Sequence, residues 1–236
     1  MGPPSSPGQL ALLAAMLIYD LAMLGHVHVY QTSLAQIGSS YAPIHPFITG
    51  LGAPDAVLFM THAWWLVVIH GIGSAFPLVA SAAQLAGPIR RRWPRVHRVN
   101  GWAVLGFTVL CGALPGMWMA THIVHASWAL RIMVVGLGAL VLLAVAMVVR
   151  TIRAGELAAH MRWAARLYAY LHVIPVFARL YFALIWAGWT AEHGAGQGAA
   201  AAGTFEIIGW LTVVSVIPLG ELMARVVFRP PPSPDR

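Results

Sequence analysis

The sequence predicts an all-α fold: a polytopic membrane protein built as one bundle of six transmembrane helices, with both termini in the cytoplasm. Three observations predict it. Hydrophobic residues make up 59% of the chain and charged residues 9%, against about 25% charged in an ordinary soluble domain. Six apolar segments reach the roughly 20 residues needed to cross a bilayer at 1.5 Å per residue. Twelve of the 14 arginines lie in or beside alternate links between those segments or follow the last one.

Span 1, residues 9–30, lacks a basic leader and a small-x-small cleavage site, and it carries Asp20, His26 and His28. It therefore reads as a retained helix rather than a signal peptide. The loop 31–56 is long enough to fold over the outer face, with Pro43, Pro46 and Pro54 stiffening it and Tyr41, His45 and Phe47 placed to cap what lies beneath. Span 2 covers 57–86, span 3 covers 99–120 and span 4 covers 129–150. Span 5, residues 161–189, contains Pro175 and is expected to kink there. A Gly/Ala-rich loop, 191–203, reads as mobile, and span 6 covers 205–228. Residues 1–229 thus form one transmembrane domain, followed by a proline-rich disordered tail, 230–236. The chain shows no internal repeat.

All 14 cationic side chains are arginine, against 7 acids, for a formal charge of +7. Arg90, Arg91, Arg92, Arg95 and Arg98 join spans 2 and 3; Arg150, Arg153, Arg162 and Arg166 surround the link between spans 4 and 5; Arg225, Arg229 and Arg236 follow span 6. The loops on the other side contain none. By the positive-inside rule the arginine-bearing side, with both termini, is cytoplasmic, so the chain reads as a multi-pass membrane protein. This scatter among loops also excludes the single basic face that nucleic acid would need. The lone Cys111 excludes a disulfide framework and a cysteine metal site within the chain. Hydrolase and phosphate-binding signatures (G-x-S-x-G, H-E-x-x-H, a glycine-rich phosphate loop) are absent.

Eleven histidines in so apolar a chain are the anomaly. Threading the spans in alternating directions puts His26, His28, His62, His122 and His125 near the outer face, His70 and His172 near mid-membrane, and His97 and His160 at the cytoplasmic face. Imidazole in a bilayer needs a partner, which makes these residues candidates for haem or metal ligation, proton relay or interhelical hydrogen bonds. Counted from the ends of their spans, His70 and His172 come to comparable depths, and two facing imidazoles at one depth can hold a haem iron. Gly71 and Gly73 beside His70 leave room for a flat macrocycle or for close helix packing. Tyr168, His172 and Arg179 share one face of span 5, with Arg179 expected to meet Glu206, a haem propionate or another anion. Glu221 lies at the depth of His97, His160, Arg162 and Arg166, and a salt bridge locking span 6 to span 5 is the expected outcome. Trp64, Trp65, Trp118, Trp128, Trp186 and Trp189 read as an aromatic belt at the outer ends.

The run Ile69-His70-Gly71, the stretch from Gln84 to Pro88 and the segment Pro94-Arg95-Val96-His97-Arg98-Val99-Asn100-Gly101-Trp102 resemble a bacterial predicted-membrane-protein family known as a domain of unknown function, with an H-R-x-x-G motif. The run from His160 to Tyr168 is similar to that family's H-x-x-W-x-x-R-x-Y signature, and Arg179 and Glu221 match its downstream arginine and acid. The resemblance covers about 65–225 and implies little about activity. The family's histidines, at His70, His97, His160 and His125, suggest by analogy a b-type membrane cytochrome. The family usually has an apolar residue at the position of His172, so His70 with His125 is the main rival pairing.

The expected function is therefore a haem-b electron-transfer protein or a small subunit of a membrane redox complex, an oxidoreductase component if an enzyme at all. Cofactor contacts fall to His70, His172, His125, Arg179 and Tyr168, and metal ligation to His70, His172, His125, His97 and His160. The expected partners are the bilayer and a quinone or another redox subunit. Two alternatives stand beside it: a proton-coupled transporter of a small anion or metal ion using Asp20, Arg179 and Glu221, and an assembly subunit docking a partner through Gly112-x-x-x-Gly116.

Overall fold

The computed structural model describes residues 11, 14, 18, 53–122, 128–172 and 199–227. Among them every regular element is a helix. Residues 11, 14 and 18, within span 1, are helical. Helix α1 runs Ala53–Leu85, α2 is the short Gly87–Arg92, α3 spans Pro94–His122, α4 is Trp128–Arg153, α5 is described over 157–172 and α6 is Ala199–Val227.

Two expectations about the loops are corrected. Pro54 does not stiffen a loop, because α1 already begins at Ala53. A proline in the first helical turn withholds an N–H that has no acceptor there. The alanines 199–202, expected in a mobile loop, form the first turn of α6, in keeping with the strong helix preference of alanine. The link between α1 and α3 is mostly helical: Pro88 lies in the first turn of α2 and Pro94 opens α3, with breaks at Ala86 and Trp93. Pro175 and the tail 230–236 lie outside the described residues.

Helices α1 and α3 pair antiparallel. On α1 and α3, Asn100 Nδ2 donates to Ala80 O at 2.9 Å near one end, and His70 meets Cys111 and Gly112 farther along. Helices α4 and α5 form a hairpin closed by Gly155, whose φ of 74° is left-handed. There Gly155 N–H donates to Ile152 O and Glu156 N–H to Thr151 O, the paired bonds of a Schellman cap that glycine favours at this position. Gly155→Ala is expected to cost on the order of 1 kcal/mol, read as a lower melting temperature in detergent with unchanged helix content.

The core centres on α4: Val141, Ala144 and Val148 pack with Ala113 of α3, Leu167 and Tyr170 of α5 and Val216 of α6. Small residues hold the contacts close, with Ala144, Ala165 and Ala169 fully buried. Outside, the surface is apolar as well. Leu110 and Val214 are 66% and 68% exposed, while Thr108 and His172 are 1% and 3% exposed. Large apolar side chains facing out over polar ones facing in suit a lipid surround. Pro94–His122 and Arg131–Arg153 are long and apolar enough to cross a membrane. The helix pairing brings the ends bearing Arg90–Arg98, Arg150, Arg153, Arg162, Arg166 and Arg225 together, and this is called the arginine end below.

Candidate functional site

The site begins with a proline. Pro115 sits inside α3, where its missing N–H leaves the carbonyl four residues back, that of Cys111, without its helical donor, and its ring crowds that same oxygen. The backbone responds by widening to a π-helical turn over Thr108–Ala113, with Leu114 N–H reaching back five residues to Val109 O. Such bulges release carbonyls from the helical ladder and often mark functional positions.

His70 of α1 meets that turn. Its Nδ1 lies 3.1 Å from Cys111 O and 3.0 Å from Gly112 O. A carbonyl can only accept, so Nδ1 carries the hydrogen and Nε2 presents its lone pair. The ring has room because α3 offers glycine: a Cβ on Gly116 would stand 3.2 Å from His70 Cε1, and one on Gly112 would meet Ser74 Oγ at 3.6 Å. The Gly112-x-x-x-Gly116 stripe, read from sequence as a surface for an outside partner, is instead met by α1 of the same chain. One turn on, Gly73 packs so closely on Cys111 that a Cβ there would collide with the Cys111 Cβ and Sγ.

Three other histidines are anchored in the same sense. His172 Nδ1 donates to Tyr168 O at 2.8 Å, His160 Nδ1 to Val148 O at 3.1 Å and His122 Nδ1 to Trp118 O at 2.9 Å. A histidine held at one ring nitrogen by a backbone carbonyl has its other nitrogen oriented for a ligand.

The structure does not bring His70 and His172 to one level. Tyr168 packs with Ala82 and Leu85 near the end of α1, and His172 lies one turn, about 6 Å, beyond Tyr168. Ala82 is twelve residues past His70, about 18 Å along the helix, so His172 lies on the order of 12 Å nearer the arginine end than His70. The equal depths expected from sequence assumed that spans 2 and 5 end in common planes. At 33 residues, α1 is longer than a bilayer requires, and helix packing alone sets its height.

The two sequence motifs acquire definite roles. In H-R-x-x-G, Gly101 accepts the Gln84 carboxamide, whose Oε1 would stand 3.0 Å from a Cβ there, and Asn100 pins α3 to Ala80 O of α1. In H-x-x-W-x-x-R-x-Y, His160 ties α5 to α4 through Val148. Trp163 lies under the Arg166 guanidinium at 4.6 Å, and Tyr168 leans on the His172 ring at 4.0 Å. Arg166 closes a two-pronged bridge on Glu221, Nε to Oε1 and Nη2 to Oε2 at 2.9 Å. The salt bridge locking span 6 to span 5 is thus present.

Among the described residues no group of three or more His, Cys, Asp or Glu side chains gathers to hold a metal ion, so His70, His97, His160 and His172 do not form one metal cluster. Asp20, His26, His28, His45, His125 and Arg179 lie outside the described residues, as do the side chains of His62 and Glu206. The π turn and the role of Pro115 were missed by sequence reasoning, and a proline inside an apolar span was the available signal.

An apolar exterior and two helices of membrane-crossing length mark a helical membrane protein. The chain belongs to the DUF2306 family of predicted membrane proteins, whose sequence profile matches residues 67–224. No curated protein and no solved structure matches it.

Proposed function

We propose that this is a six-helix protein of the bacterial cytoplasmic membrane, termini inside, that binds b-type haem through His70 and passes electrons to or from a quinone or another membrane redox subunit. One observation carries the reading: the His70 ring is fixed by two backbone carbonyls of a π turn, with Nε2 left as the lone-pair nitrogen and glycine beneath the ring. That donor set suits an axial ligand to haem iron, whose tautomer must be held by a bond at the other nitrogen. Bound haem would supply a one-electron couple. The height offset disfavours His172 as second ligand on the same iron and leaves His125 as the candidate. Arg179 is the proposed partner of a propionate, and Tyr168 holds His172 in place. Transport through intramembrane charges has less support, because Glu221 is already closed on Arg166.

Optical spectra of the detergent-purified protein, air-oxidised and then dithionite-reduced, test this. The wild type is expected to show a reduced b-type band with about one iron per haem. His70→Ala should lose that band while retaining its elution volume and helix content, whereas His172→Ala should keep it. Loss in His125→Ala would identify the second ligand. A colourless wild type from haem-supplemented cells would overturn the reading.

A further inference from the structure

The arginine end holds an arrangement that neither the haem reading nor the helix packing explains. Arg90, on α2, is partly buried, and its backbone is fixed by a bond from its N–H to Ala86 O at 3.2 Å. Its charged neighbour is Arg91, of the same sign; half-burial first, and then Arg91, push the Arg90 guanidinium below its ordinary range. His97, one turn into α3, feels Arg90 and His160. Its Nδ1 is buried without a hydrogen-bond partner among the described residues, as is Gln84 Nε2 at the end of α1. A half-buried guanidinium beside two buried polar atoms that have no hydrogen-bond partner among the described residues is costly unless an anion completes the group.

The surroundings identify the anion. Trp93 and Trp102 are exposed on either side of the cluster, and Arg92 lies over the Trp93 ring at 5.7 Å. Exposed tryptophans at the end of a membrane helix sit at headgroup level. Arg91, Arg92, Arg95 and Arg98, also exposed, make this a polybasic segment directly beside a membrane span, the pattern that attracts anionic lipids. A phosphodiester fits the inner groups, accepting two N–H bonds from a guanidinium and one from an imidazole or carboxamide.

We infer that the junction of α1, α2 and α3 binds the phosphate headgroup of an anionic phospholipid, through Arg90 and His97 with the Arg92–Trp93 pair at its rim. The site is independent of the haem reading and stands whether or not a cofactor is bound.

The test titrates the purified full-length protein, in neutral detergent, with phosphatidylglycerol, phosphatidylcholine or inorganic phosphate, reading melting temperature and bound lipid by native mass spectrometry. Phosphatidylglycerol is expected to raise the melting temperature and remain bound, and the other two to do neither. Arg90→Gln should weaken phosphatidylglycerol binding by about fivefold, while Arg153→Gln, exposed at the same end, should leave it unchanged. His97→Gln reads the same site if Arg90→Gln does not fold. Equal binding of phosphatidylcholine, an equal response to free phosphate, unchanged affinity in both site variants, or an equal loss in Arg153→Gln would each overturn the assignment.

Discussion

Replacing Gly73 by valine is expected to force α1 away from α3 and lose the folded protein. A single carbon at this position already collides with Cys111 Cβ and Sγ and comes within 3.6 Å of the Cys111 Cα. The obstacle is therefore close to backbone rather than the far end of a flexible chain, and it cannot swing aside. Overpacking of this kind costs about 1–3 kcal/mol where neighbours can shift. Here both partners are helix backbones, so the cost should reach or pass about 3 kcal/mol. The measurement is thermal unfolding in detergent, followed by elution profile and near-UV circular dichroism. A companion pair fixes the cause. Gly73→Ala alone should be strongly destabilised, and Gly73→Ala with Cys111→Gly should recover most of the loss, because the second change removes the colliding atoms. A Gly73→Val protein that melts with the wild type would show that the helices do not approach as described. The same crossing delivers His70, one turn away, to the carbonyls of Cys111 and Gly112, so the variant should also lose whatever His70 binds.

Breaking the Arg166–Glu221 bridge is the second large effect. The two side chains are 19% and 37% exposed, which places the pair between fully buried bridges, whose disruption costs about 3–5 kcal/mol, and surface pairs worth about 0–1 kcal/mol. Glu221→Gln and Arg166→Gln are each expected to lose about 1–2 kcal/mol, the first because it leaves a guanidinium stacked on Trp163 without its carboxylate. The double variant should cost clearly less than the sum of the singles, a coupling of about 1 kcal/mol. Melting temperatures of the four proteins at low and high salt give the cycle directly. Strict additivity would show that the bridge does not tie α5 to α6.

Much of this site could be read in the chain before it was folded. The partnership of Glu221 with an arginine of span 5 followed from an acid that cannot face lipid lying at the depth of four candidate bases. The exterior tryptophans followed from their positions near span ends, and Trp65, Trp118 and Trp128 are indeed exposed. The π turn was legible in principle, since Pro115 in an apolar span must strand the Cys111 carbonyl. Nothing in the local sequence says that His70, some forty residues earlier, supplies the missing donor. The heights of His70 and His172 were not legible at all. Counting from span ends treats each helix as trimmed to the bilayer, whereas α1 overruns it and slides until Tyr168 seats against Ala82 and Leu85.

The sequence by itself determined the helical class, the apolar segments and the gathering of arginines in alternate links, because each depends on interactions within a few residues or on transfer between water and lipid. Only the tertiary structure decided which helix faces which, at what height, and which side chain fills the gap left by Pro115. Those outcomes depend on ångström-scale complementarity between surfaces distant in the chain, glycine against cysteine and imidazole against freed carbonyl, and no periodicity along one segment encodes the surface it will meet.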